Sequence, residues 1–118
     1  MNINSLSQKY SVRKLDENDV DIIYDMSCKN DIFYQYHPPF VTRESILDDM
    51  GALPPGKGYD DKFYVGFFEN DSLVGLMDLI LDYPEKEISF IGLFMTDTRY
   101  QNRGVGSQII SDIIPCLK

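Results

Sequence analysis

A chain of 118 residues leaves room for one domain, spanning 1–118, near the small end of the usual size range. With 43% hydrophobic and 25% charged residues, and with eight Tyr and seven Phe, the composition argues against a chain that is disordered throughout. Nineteen acidic against eleven basic side chains give a net charge of −8, which repels phosphate backbones and sets nucleic acid aside as a partner.

The same charge mildly favours a cationic acceptor, such as a polyamine, an amino sugar or a lysine side chain. Cys28 and Cys116 have no metal-ligand spacing, so both are expected to be reduced and half-buried, and no metal is expected. The first nine residues hold no apolar segment of the signal-peptide kind. No run approaches the roughly 20 apolar residues of a membrane span. A cytoplasmic protein with no membrane partner is the expectation.

Residues 10–15 read as a short first strand, with Val12 among polar neighbours. Asp16, with Asp19 three residues on, has the form of a capping box. Val20, Ile22, Ile23 and Met26 then recur at helical spacing and predict a helix over 17–28. Residues 29–41 carry Phe33, Tyr34, Tyr36, His37 and Phe40 without a clean period, around Pro38-Pro39, and read as a loop or a broken helix. Thr42 caps a second short helix over 43–50, with Ile46, Leu47 and Met50 inward. Pro54, Pro55, Gly56 and Gly58 make 53–61 a flexible turn.

Three strands are predicted next, over 62–69, 72–82 and 87–95. Asn70-Asp71 supplies the first connecting turn and Tyr83-Pro84-Glu85-Lys86 the second. Their nearly continuous Val, Leu, Ile and Phe predict a sheet covered on both faces. Val105, Ile109, Ile110, Ile113, Ile114 and Leu117 then predict a helix with a wide buried stripe, which Pro115 bends or stops.

The chemistry is expected where the last strand meets that helix. First-turn N–H groups have no intrahelical partner, and the helix dipole adds partial positive charge, so such a turn suits an anion. Gly104 and Gly106 allow close backbone approach, and Arg99 and Arg103 supply cations in an otherwise acidic chain. A P-loop would need a lysine and a hydroxyl after the second glycine, where this chain has Ser107-Gln108. A dinucleotide-binding turn would need Gly or Ala where Ile109 stands, and would come early in the domain.

The run Gln101-Asn102-Arg103-Gly104-Val105-Gly106 resembles the Gln/Arg-x-x-Gly-x-Gly/Ala signature of the GNAT superfamily of acyl-CoA N-acyltransferases, and the element order before it matches as well. The resemblance implies an α+β fold of three layers: a mixed, mostly antiparallel sheet flanked by helices, here incomplete at its C-terminal end. It implies an N-acetyltransferase that moves an acetyl group from acetyl-CoA to a primary amine of a small molecule or protein by direct attack. The amides of Gln101, Asn102, Arg103, Gly104, Val105 and Gly106, with Ser107 close by, would hold the CoA pyrophosphate. Phe94, Met95 and Thr96 would pair with the pantetheine arm, and Phe33, Tyr34 and Tyr36 would form one wall of the acceptor pocket.

Several members of that family carry a Glu about eleven residues before the signature, where this chain has Phe90. Asp78 and Glu87 are the nearest acids that could serve as general base. Asp78, among Leu76, Met77, Leu79 and Ile80, is either a buried carboxylate able to do so or the mark of a solvent-facing edge. His37 stands beside two prolines and is read as structural. The family continues past the signature helix with further strands and a helix bearing a Tyr general acid. A chain ending at Lys118 is thus expected to be a truncated form or the leading part of a longer one, weak in transfer or inactive. Its open edge at 87–95 would invite association, for instance as a homodimer. The competing expectation is a non-catalytic acyl-CoA-binding or assembly module of the same fold.

Overall fold

The computed structural model describes residues 3–7, 9–30, 40–100 and 104–114. Strand β1, Ser11–Lys14, leads into the capping box that the sequence signals. Asp16 Oδ1 accepts from the Asn18 N–H at 2.9 Å, and Asp19 Oδ2 accepts from the Asp16 N–H at 2.9 Å. The chain makes one 3-10 turn, Glu17–Asp19, before helix α1, Val20–Ser27, so the predicted helix is α-helical only from Val20.

Asp19 also receives a bidentate bond from Arg13, at 2.8 and 2.9 Å. That guanidinium holds its carboxyl below the usual carboxylate range, against the opposing effect of burial. A carboxyl depressed in the folded state adds stability above its unfolded pKa of about 3.9 and loses that contribution as pH falls through the lowered value. Asp19→Ala removes a cap contact and a salt bridge together. It should cost about 1–2 kcal/mol near neutral pH in urea unfolding, and the deficit should shrink below about pH 4.

Helix α2, Arg43–Gly51, starts with a second reciprocal cap: Thr42 Oγ1 accepts from the Ser45 N–H at 3.0 Å and Ser45 Oγ from the Thr42 N–H at 2.9 Å. Strands β2, Lys62–Glu69, β3, Ser72–Ile80, and β4, Phe90–Thr96, complete a sheet of order β1-β2-β3-β4 in which every described pairing is antiparallel. Asn70 takes the left-handed turn between β2 and β3, with φ 56°. Helix α3, Val105–Ile113, closes the described order.

The third predicted strand begins late. Asp82 and Glu87 both have left-handed backbones, with φ 52° and 70°, and the Glu87 N–H donates to Asp82 Oδ1 at 2.9 Å. The side chain of Asp82 thus closes a local turn that keeps residue 87 out of the ladder, and pairing starts at Phe90. Two register shifts interrupt the sheet. One leaves Val74 extra in β3 and the other leaves Gly92 extra in β4.

The sheet is packed on both faces, as its near-continuous apolar strands require. On one face Val65, Phe67, Val74, Met77 and Leu79 meet Val105, Ile109 and Ile113 of α3. On the other, Tyr64, Phe68, Leu73, Leu76 and Met95 meet Val20, Ile23 and Met26 of α1 and Ile46 of α2. Burying each such aliphatic side chain contributes about 1.5–3 kcal/mol, which fixes α3 against β3 and β4. Of the predicted stripe of α3, Val105, Ile109 and Ile113 are buried and Ile114 is exposed, while Leu117 lies outside the described residues. Among the described residues no helix is long and apolar enough to cross a membrane.

Candidate active site

Strand β4 is bonded to β3 on one side only, among the described residues. Antiparallel ladders alternate, so each residue turns its N–H and C=O either to its partner or away. The Asp97 N–H donates to the Val74 carbonyl at 2.7 Å, in register with the Met95–Leu76 and Thr96–Gly75 pairs. Met95 therefore bonds toward β3, while Phe94 and Thr96 turn their backbone groups to the outer edge. Of the three residues expected to line a pantetheine arm, Met95 is the exception: its main chain is engaged in the ladder and its side chain is buried.

The strand leads into a tight turn built on Asp97. This buried carboxylate accepts from the Arg99 N–H at 2.8 Å and from Arg99 Nε and Nη2 at 3.0 and 3.3 Å. The contact sets the 3-10 turn Thr98–Tyr100 and raises the Arg99 pKa further. Arg99 is thus not the unengaged local cation expected from the sequence, because its charge is answered two residues upstream. Gln101, Asn102 and Arg103 lie outside the described residues.

Gly104 caps α3 in a left-handed conformation, φ 74° and ψ 8°, which a residue with a Cβ adopts only under strain. Among the described residues, chain neighbours aside, a Cβ built there would meet no atom within 4 Å, so they leave the space above the cap open. The first intrahelical bond runs from the Gln108 N–H to the Gly104 carbonyl at 2.9 Å, and the amides of Val105, Gly106 and Ser107 precede it. Gly106 lies against β4: a Cβ on it would be 3.6 Å from Phe94 Cε2 and 3.9 Å from Thr96 Cγ2. The fold therefore brings Phe94, Thr96, Gly104, Val105, Gly106 and Ser107 together at one corner, where an open helix start adjoins an outward-facing strand edge.

The expected acids fall elsewhere. Glu87 is exposed in the turn before β4 and does not sit on the strand. Asp78 sits in β3, an interior strand, so it does not mark a sheet edge. Its two oxygens accept from Lys62 Nζ at 3.0 and 2.9 Å, and the lysine side chain is 4% exposed. The pair abuts the bulge in β4, since a Cβ at Gly92 would be 3.9 Å from Asp78 Oδ2. Asn30 is buried at the end of α1, and its Nδ2 donates to the Thr96 carbonyl at 3.4 Å. This bond ties the start of the aromatic segment to the edge of β4. Phe33, Tyr34 and Tyr36 themselves lie outside the described residues, as do His37 and Cys116, while Cys28 is half-buried and reduced.

Asp49 of α2 faces outward and is exposed. Burial first, and the charge of Asp78 second, push its carboxyl above the usual range, with Lys62 opposing. Lys62 escaped the sequence reading, although a lysine opening an otherwise apolar strand is a signal for a buried partner.

A family model described as the acetyltransferase (GNAT) family matches residues 23–115. Among solved structures, an acetyltransferase from Thermus thermophilus superposes with a TM-score of 0.74 at 19% identity, over 87% of this chain and 66% of that one. A ribosomal-protein alanine N-acetyltransferase from Escherichia coli gives 0.59 at 13% identity, over 92% and 59%. The PaiA N-acetyltransferase of Thermoplasma acidophilum, in complex with coenzyme A, gives 0.59 at 12% identity, over 92% and 71%. These likenesses concern the fold, and the chain spans just under two thirds of the length of the first two. No curated protein sequence matches. The family model covers most of the chain, and the solved structures share its fold of a mostly antiparallel sheet flanked by helices: the chain belongs to the acetyltransferase (GNAT) family.

Proposed function

We propose that the protein is an N-acetyltransferase that binds acetyl-CoA at the corner between β4 and α3 and passes the acetyl group to a primary amine of a small molecule or protein. One observation carries this reading: the open, left-handed cap at Gly104 adjoins a strand edge whose Phe94 and Thr96 backbone groups face outward. A pyrophosphate bound by the amides of residues 101–107 would place the pantetheine along β4, with its thioester toward the Gly92 bulge. The acceptor nitrogen then attacks the thioester carbonyl, and the proton it sheds needs a base. The segment holding Phe33, Tyr34 and Tyr36 would cover the acceptor side, since Asn30 anchors its start at Thr96.

Thermal melts test the cofactor assignment directly. Acetyl-CoA at about 100 times its dissociation constant should stabilise the chain by roughly 2.7 kcal/mol. Soluble, folded protein whose melt does not move in millimolar acetyl-CoA would exclude the assignment. A second reading, a non-catalytic acyl-CoA-binding module, is favoured by the engagement of Asp78 with Lys62. Turnover of acetyl-CoA with a panel of amines separates the two.

A further inference from the structure

The pantetheine arm carries amide N–H groups, and each needs an acceptor once the arm leaves water. On β4 the carbonyls that face outward near α3 are those of Phe94 and Thr96, because Met95 bonds inward to β3. The Thr96 carbonyl is taken. Asn30 Nδ2 donates to it at 3.4 Å, across 66 residues of sequence.

The donor is held from its own side. The Asn30 N–H closes a turn on the Ser27 carbonyl at 3.0 Å, and the residue is 4% exposed. Helix α1, which ends just before it, is fixed to the same cluster as β4, since Ile23 and Met26 pack with Leu76 and Met95. The carboxamide therefore stands at a set height beside the strand, and its NH2 is the half that can meet a carbonyl. A bond of 3.4 Å is long for an amide pair and adds little to stability, so the fold should survive its loss.

We infer that Asn30 is a positioning residue for the acyl donor: by taking the Thr96 carbonyl it leaves an N–H of the arm the Phe94 carbonyl, and so sets how far along β4 the thioester reaches toward Gly92. The inference rests on the acetyl-transfer reading above. The distance at stake is large. Outward-facing residues alternate along a strand, so slipping from Phe94 to Thr96 moves the arm by two residues, about 7 Å. A misplacement of about 1 Å can cost on the order of 10²-fold in rate. Asn30 also begins the segment proposed to cover the acceptor, so one bond sets the donor and acceptor elements against each other.

The experiment uses the whole chain with acetyl-CoA and a panel of cadaverine, tyramine and a short peptide with a free N-terminus. Asn30→Leu keeps the volume and removes the donor, and Asn30→Asp keeps the shape with no donor at neutral pH. Both should keep a KM for acetyl-CoA within about threefold of the parent's, yet lower kcat by about 10–100-fold on whichever amine is turned over. A merely structural residue would not split kcat from KM in this way. In the parent labelled with 15N-asparagine, the Asn30 side-chain signal, assigned by its loss in Asn30→Leu, should move when CoA is added. The signal of Asn18, beside the opposite edge strand β1, should stay. An Asn30 signal indifferent to CoA, in protein whose melt CoA raises, overturns the inference without recourse to turnover. So does an Asn30→Leu chain that keeps the parent kcat, whatever its KM. A parent whose melt ignores acetyl-CoA strikes instead at the acetyl-transfer reading, and takes the inference with it.

Discussion

Gly104→Asp should abolish the stabilisation expected from acetyl-CoA, while the fold survives. The reasoning separates strain from charge. At φ 74° any side chain strains the backbone, at a cost of order 1–3 kcal/mol. Among the described residues, chain neighbours aside, no atom lies within 4 Å of the position a Cβ would take, so the described structure adds no clash to that cost. A carboxylate at a helix N-terminus also recovers about 0.3–1 kcal/mol from the dipole. The net penalty to folding is therefore modest. For the ligand the change is severe, because the new carboxylate fills the open space above the first-turn amides and presents negative charge to a pyrophosphate. Gly104→Ala carries the strain without the charge and should keep part of the acetyl-CoA effect. Melts of the three chains with and without acetyl-CoA make the comparison. If the aspartate chain gains as much as the parent, the pyrophosphate is not held at this cap.

The corner was legible in the sequence because its signals are local. A strand, two glycines two residues apart and an apolar helix period need no knowledge of tertiary contacts, and both capping boxes, Asp16–Asp19 and Thr42–Ser45, follow from side chains that bond three residues away. What the sequence hid depends on register. Lys62 and Asp78 are 16 residues apart, and they meet only because β2 and β3 pair with Lys62 opposite Ile80 and Tyr64 opposite Asp78. A shift of one residue in that register would have put them on opposite faces. The Gly92 bulge and the inward main chain of Met95 have the same origin. Glu87 failed for a local reason that the sequence did carry in part: Asp82 is a residue type that bonds backbone groups in turns, and here it draws the Glu87 N–H out of the strand.

Lys62→Met should destabilise the protein by about 3–5 kcal/mol, the largest loss expected from a single polar substitution here. The methionine fills the lysine's apolar volume, so little packing is lost. What remains is Asp78, whose side chain is 15% exposed, with no cation on either oxygen. The double change Lys62→Met with Asp78→Leu should recover most of the lost stability, because an apolar pair of similar size leaves nothing to solvate. Urea unfolding of the parent, both single variants and the double variant closes a thermodynamic cycle whose coupling term should equal the stability that the second change restores plus the cost of Asp78→Leu alone. A Lys62→Met chain within about 1 kcal/mol of the parent at neutral pH would mean that Asp78 finds other solvation on its own. It would then be open to an acceptor, and the non-catalytic reading would lose the observation that favours it.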